Sequence, residues 1–233
     1  MSNKSSFWTK ASTGPDPVFI EQIQMEISRR TRKTLVQTKY NATACYNRRM
    51  PNLYMVTSQT FGVPEEVTST NASMLLHVKN LIRTKLWLAE ERYSHCQSYP
   101  IYGTGQGSGN SPAIWRFLSS ILYNCYDEKA FKACYYCPDS IGNIELGMIG
   151  FVDDSNGQTN QFLEDENDLS QQSVIQQVKA NAQLRSNLLS TSGGALELNL
   201  CSYHVMAWQF SGRGSPVLIA IQTNMEEYKS LIR

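Results

Sequence analysis

The chain reads as an α+β layered domain. Segments with apolar residues at helical spacing alternate with short runs rich in β-branched and aromatic residues. Hydrophobic residues make up 41% of 233 positions and charged ones 18%, enough apolar content for a packed core and too much for global disorder. No internal repeat or long linker divides the pattern, so the helices and strands are expected to share one core rather than form an array.

Residues 1–16 are polar and broken by Gly14-Pro15, a loose lead-in. Val18–Arg32 carries Val18, Ile20, Ile23, Met25 and Ile27 in rough helical spacing and ends in bases, which suit a helix C-terminus. Thr34–Tyr40 is short and β-prone. Pro51–Phe61 and Pro64–Leu81 each open at a proline and read as helices, the second with Glu65 and Glu66 in its first turn; Gly62 separates them. Lys85–Tyr93 reads as a strand, Tyr99–Ser111 as a Gly/Ser-rich loop and Pro112–Tyr126 as a strongly apolar helix. Glu145–Phe162 reads as a hairpin. Leu169–Leu189 is an amphipathic helix stopped by Gly193-Gly194. Leu196–Phe210 and Pro216–Gln222 close the order as strands.

Net charge is only +1, but the charges are segregated. The first fifty residues hold Lys4, Lys10, Arg29, Arg30, Arg32, Lys33, Lys39, Arg48 and Arg49 against Asp16, Glu21 and Glu26, while Asp153–Asp168 holds six acids and no base. A basic segment facing an acidic one suits a polyanion held beside bound metal; Arg29–Lys33 reads equally as the solvated end of a helix. The N-terminus has no apolar signal segment and no run approaches membrane-spanning length, so an intracellular setting, cytoplasmic or nuclear, with no membrane partner is expected. The six cysteines are then expected to be reduced. Cys134-Tyr135-Tyr136-Cys137 has the spacing of half a zinc site, but no second pair completes it, which favours buried thiols. Asn41-Ala42-Thr43 fits the glycosylation pattern, which has no use without secretion.

Three stretches carry chemistry. The first is Gly150-Phe151-Val152-Asp153-Asp154-Ser155, where an apolar run from Ile144 to Val152 meets a polar alternating run. Two adjacent carboxylates at a hairpin tip repel one another unless a cation neutralises them, so Asp153 and Asp154 are candidate ligands for a hard divalent ion such as Mg²⁺; a solvated Asp-Asp turn is the competing reading. The second is Gly103-Thr104-Gly105-Gln106-Gly107-Ser108-Gly109-Asn110-Ser111-Pro112. Its glycines let backbone approach a ligand, and Ser111 as N-cap with Pro112 in the first turn would offer free N–H groups to phosphate. It lacks the Gly-Lys-Ser/Thr of a Walker loop and the βαβ frame of a dinucleotide site; a flexible surface loop is the alternative. The third is Asn41-Ala42-Thr43-Ala44-Cys45-Tyr46-Asn47-Arg48, directly after the short strand.

In this order the stretches resemble the palm of reverse transcriptases, the RNA-directed DNA polymerases of retroelements, of retrotransposon type. The likeness runs from about Val18 to Gln222. Gln106-Gly107-x-x-x-Ser111-Pro112 is similar to the family's nucleotide- and template-contacting loop, Phe151-Val152-Asp153-Asp154 to its Tyr/Phe-x-Asp-Asp metal box, and Gly193-Gly194-Ala195-Leu196 through Cys201 to the motif that follows. The resemblance implies a polymerase palm, a ferredoxin- or RRM-like antiparallel sheet with helices on one face, plus partial fingers over residues 17–222. Residues 223–233 would be a tail, with the thumb absent. It implies template RNA or DNA with a DNA primer, deoxynucleoside triphosphates and other retroelement domains as partners, and Mg²⁺ or Mn²⁺ as cofactor in a two-metal transfer. Catalytic positions fall on Asp153, Asp154 and Asn41, the metal ligands on Asp153 and Asp154, and the nucleotide and template contacts on Tyr46, Gly105, Gln106, Gly107, Ser111 and Pro112. Tyr46 matches the aromatic that excludes a ribose 2′-hydroxyl; a buried core tyrosine at a helix start is its other reading. Arg29, Arg30, Arg32 and Lys33 are weaker candidates for phosphate contacts in the fingers.

Two departures matter. The first-motif aspartate falls on Asn41, whose amide can ligate a cation but carries no charge; losing one of three carboxylates costs on the order of several kcal/mol, hence about a thousandfold in rate. Asn47 also stands where relatives carry an acid. The lysine expected before Cys201, which the resemblance assigns to protonating pyrophosphate, falls on Leu200. Glu21 and Glu26 are the nearest upstream acids. The expectation is a polymerase copy impaired by Asn41 and Leu200. A catalytically inactive nucleic-acid-binding module or a protein-interaction remnant with the same fold is the alternative, and RNA-templated RNA synthesis is a third that Tyr46 opposes.

Overall fold

The structure is a computed structural model and describes residues 15–31, 33–48, 50–96, 103–104, 108–136, 142–151, 154–160, 171–209 and 217–222. Among them are five helices and an antiparallel five-stranded sheet, a mixed α+β architecture as expected. The chain divides into two compact units: residues 1–43, 122–191 and 195–233 form the first, residues 44–121 and 192–194 the second.

The first unit holds the sheet. Its strands are β1 (Leu35–Asn41), β6 (Met148–Phe151), β7 (Asp154–Asn160), β8 (Ser202–Gln209) and β9 (Val217–Gln222), in the order β6-β7-β1-β8-β9. All neighbours are antiparallel. The central strand β1 alternates as β-prone sequences do: Val36, Thr38 and Tyr40 are buried beneath the sheet, whereas Lys39 is exposed on the other face. Helix α5 (Gln171–Thr191) packs against β1 and β7, burying Val174, Val178, Ala182, Arg185 and Leu189 at a spacing of three or four residues. Tyr126, near the end of α4 (Ser111–Lys129), meets Tyr40 edge-on with ring centroids 6.5 Å apart. A second small sheet pairs β4 (Ala133–Tyr136) with β5 (Asn143–Leu146).

Helix α1 (Pro15–Thr31) lies against the other face. Glu21 accepts a hydrogen bond from Asn156, which shares the face of Lys39, and Met25 and Ile27 pack on the cluster of Leu35, Ala133, Tyr135 and Met206. The helices therefore do not all lie on one face, as the resemblance had implied. The inner side of α1 carries buried polar Gln24 and Ser28 beside half-buried Met25 and Ile27, while Val18, Phe19 and Ile23 are exposed.

The second unit holds α2 (Pro51–Thr60), α3 (Glu65–His77) and the ribbon of β2 (Lys79–Asn80) with β3 (Tyr93–Ser94), together with the first half of α4. Phe61 stacks on Phe117 at 5.2 Å.

Four boundaries differ from the sequence reading. The helix expected to reach Leu81 stops at His77, because β-branched Val78 turns extended (φ −60°, ψ 130°) and Lys79–Asn80 joins a ribbon. Lys85–Tyr93 is not a continuous strand: the chain turns back at Thr84–Trp87, and only Tyr93–Ser94 pairs as a strand. The apolar run from Ile144 is two strands, because β4, which the sequence reading left out, takes Asn143–Leu146 and leaves Met148–Phe151 to pair with β7. The strand expected from Leu196 starts at Ser202, after a bridge from Leu196 to Ala42 and a turn in which Leu200 donates its amide to the Glu197 carbonyl.

Candidate functional site

Strand β1 ends at Asn41 and strand β7 begins at Asp154, and the two residues are direct partners in the antiparallel register. Partners in such a ladder point to the same face. The Asn41 Nδ2 donates to Asp154 Oδ1 at 2.9 Å. On the other flank, Ala42 bridges Leu196 and the Glu197 amide donates to the Asn41 carbonyl at 2.8 Å, which sets Glu197 opposite Asn41. Asp154, Asn41 and Glu197 thus form one row across three neighbouring segments, with both acids beside a neutral amide. Thr43 Oγ1 donates to Glu197 Oε2 at 3.2 Å, holding that carboxylate on the same side. The Asn41 backbone N–H donates to the sulfur of buried Cys201 at 3.4 Å, which ties the end of β1 to the segment before β8.

The expected ligands are thus partly brought together. Asn41 and Asp154 meet; Asp153 lies outside the described residues. Glu197, which spacing near Asn41 does not point to, stands in the segment before β8 that bridges back to Ala42. Its place in the row comes from the Ala42–Leu196 bridge, a pairing between segments more than 150 residues apart. Neither upstream acid is uncommitted. Glu21 holds Asn156, and Glu26 forms ion pairs with Arg29 and with Arg30 at 2.7 Å. Hydrogen bonds from Arg29 and Arg30 hold the Glu26 carboxyl down to about 2. Arg29 and Arg30, weighed as phosphate contacts, share the single Glu26 carboxylate on their own helix, which leaves one net positive charge there. Lys33 is buried, which lowers its ammonium's pKa. Arg32 lies outside the described residues.

The second unit gathers the other motif residues. Tyr46 lies in the turn Thr43–Asn47, half-buried, not at a helix start. That turn carries Ala44 at φ +46°, a left-handed conformation that alanine adopts at a cost of order 1 kcal/mol. The Thr104 amide donates to the Tyr46 carbonyl at 2.8 Å, and Ser111 Oγ donates to the Thr104 carbonyl at 3.2 Å. Gly103 (φ +93°) approaches so closely that a Cβ there would lie 2.5 Å from Asn47 Cα and from the Tyr46 oxygen. Gly193 (φ +81°) makes a similar approach, 2.5 Å from the Arg48 carbonyl. The glycine loop, the Tyr46 turn and the Gly-Gly stop are thus locked together by backbone contacts that only glycine permits. Ser111 is the first residue of α4 rather than the residue before it, its hydroxyl donating to the loop, and Pro112 is exposed in the first turn. Gly105, Gln106 and Gly107 lie outside the described residues. Leu200, standing where the resemblance expects lysine, is 62% exposed.

The row can accept hydrogen bonds and hold one hard cation, with Asp154 and the Asn41 amide oxygen as donors once the amide turns over. As it stands Asn41 presents an N–H to Asp154, and no group of three His, Cys, Asp or Glu residues suited to a metal occurs among the described residues. No helix among them is long and apolar enough to cross a membrane.

In comparisons with known proteins, no family model and no curated sequence matches the chain.

Proposed function

We propose that the chain is the palm core, with part of the fingers, of a retroelement reverse transcriptase whose polymerase chemistry is impaired at Asn41 and Leu200. The observation that carries this reading is the pairing of Asn41 with Asp154. Two stretches 113 positions apart, each singled out for carboxylate chemistry, end side by side on one face of an antiparallel sheet. The ferredoxin-like palm layout is supported by the central place of β1, the β6–β7 hairpin beside it and α5 packed beneath. The hold of Gly103 and Thr104 on the Tyr46 turn supports a nucleotide-facing role for Tyr46 and the glycine-rich loop, with buried Ser111 bracing that loop from the start of α4.

A divalent ion, Mg²⁺ or Mn²⁺, held by Asp153 and Asp154 would supply positive charge for a triphosphate. The residues themselves account for the impairment. Asn41 donates a proton-bearing nitrogen to Asp154 where a carboxylate would share a cation, so it neutralises part of the acid's demand without offering charge. Leu200 carries no transferable proton. The Tyr46 ring would exclude a 2′-hydroxyl. The partners of this reading are a template, RNA or DNA, with a DNA primer, and deoxynucleoside triphosphates, in an intracellular setting with other retroelement domains.

Primer extension on an RNA template tests it. The wild-type chain is expected to extend at least about a thousandfold more slowly than the Asn41→Asp, Leu200→Lys double variant. Equal rates would refute the impairment; no extension by the double variant, with the primer–template bound, would favour a binding remnant.

A further inference from the structure

The ribbon of residues 79–94 is exposed along nearly its whole length. Lys79–Asn80 pairs with Tyr93–Ser94, Arg83 bridges Leu88, and the tip closes at Thr84–Trp87, where the Thr84 amide donates to the Trp87 carbonyl at 2.8 Å and Thr84 Oγ1 accepts from the Trp87 amide at 3.0 Å. The tip is a built turn, and it displays its large side chains outward: Leu86 is 93% exposed, Trp87 58% and Tyr93 50%. A two-stranded ribbon ordinarily needs a partner for such a surface. Interleaved with these side chains are exposed Lys79, Arg83, Lys85 and Arg92, against Glu90 and Glu91. None of the four cations makes an ion pair among the described residues, in contrast to Arg29 and Arg30 of α1.

We propose that this ribbon is a stacking platform for single-stranded nucleic acid. The inference rests on the function proposed above and deepens it by naming where an unpaired template strand lies. Aromatic rings offer a face to any base, and unpaired cations beside them track the phosphates; together they bind single strands with little sequence preference. A protein partner covering Leu86 and Trp87 would have to bury those cations against acids of its own. A polyanion with apolar faces on its bases meets both demands at once. Trp87 supplies the principal stack, Tyr93 a second one, and Arg83 and Lys85 the phosphate contacts nearest the tip.

The test is fluorescence anisotropy of a labelled oligo(dT) or oligo(rU) of about twelve nucleotides, with the intact chain, at about 50 and 200 mM salt. Trp87→Ala is expected to weaken binding about tenfold, and Trp87→Phe to restore most of it. Arg83→Gln and Lys85→Gln are each expected to lower the slope of log affinity against log salt by about one. All three positions are exposed, and melting temperatures check that each variant folds. If the wild-type chain binds a primer–template and these variants match it in affinity and salt slope, the platform is overturned while the proposed function stands. If the wild-type chain binds no nucleic acid, both are overturned. If Trp87→Ala abolishes self-association and leaves oligonucleotide binding unchanged, the surface seats a second copy and the platform is overturned.

Discussion

Replacing Asn41 by Asp probes the row of Asp154, Asn41 and Glu197 without presuming catalysis. The wild-type contact is an amide N–H donated to a carboxylate at 2.9 Å, and the change removes it. A hydrogen bond to a charged group contributes about 1.5 kcal/mol at the exposed end of its range. The new carboxylate also stands about 4 Å from the old one, a repulsion of about 1 kcal/mol in water and about 4 at an effective dielectric constant of 20. Asp154 is exposed and Asn41 half-buried, so the lower figure governs, and the variant should lose about 2–3 kcal/mol in the absence of metal. For a chain of this size that is a fall of roughly 4–12 °C in melting temperature. Mn²⁺ or Mg²⁺ should return it, by about 2.7 kcal/mol at a hundredfold excess over the dissociation constant. The wild-type chain, with one carboxylate fewer, should respond less. Differential scanning fluorimetry at low salt, with and without metal, reads all four states. A variant that melts with the wild type and ignores metal would refute the reasoning, for it would mean that residue 41 and Asp154 do not share a site.

Other perturbations test the frame around the row. Gly103→Ala should destabilise the second unit by about 3 kcal/mol or more, since both the positive φ and the 2.5 Å approach to the Tyr46–Asn47 backbone forbid a side chain; unchanged urea unfolding would contradict the packing of the loop. Burial pushes Tyr40 up to about 12, and Tyr126 and Tyr135 shift the same way, so the folded chain keeps phenolic protons that the unfolded chain loses near 10. That stability is whole below pH 10 and is lost as pH rises towards 12, about 3 kcal/mol from Tyr40 alone. Circular dichroism should show alkaline unfolding in that window, shifted upward in Tyr40→Phe, and ionisation near 10 with native dichroism would contradict it. Arg185 is wholly buried, its guanidinium 5.0 Å from the centre of the Tyr123 ring, and its nitrogens find no hydrogen-bond acceptor among the described residues. Arg185→Met should therefore be neutral or stabilising by about 1–2 kcal/mol, and a loss above about 3 kcal/mol would reveal an acidic partner.

Much of the fold was legible because its signals are local. Pro51 opens a helix, bases close α1, Gly193 with φ +81° follows α5, and Thr34–Tyr40 alternates as a strand must. The errors fall where pairing with a distant segment overrides local pattern. Val78 leaves its helix because Lys79 and Asn80 have partners at Tyr93 and Ser94, and Ile144 separates from Ile149 because Ala133–Tyr136 captures it. The same limit governs the site. Asn41 and Asp154 could be matched because both carry motif residues, but Glu197 enters the row only through its register with Asn41, which no spacing along the chain encodes. The commitment of Arg29 and Arg30 to Glu26 was readable as spacings of three and four residues on one helix.

Anomalous diffraction from crystals of the Asn41→Asp variant soaked in Mn²⁺ tests the central claim most directly. The account predicts a peak between the carboxylates of residue 41 and Asp154, about 2.2 Å from each, and none of comparable height in wild-type crystals soaked alike. Equal peaks in both crystals, or a peak in the variant away from this row, would contradict it.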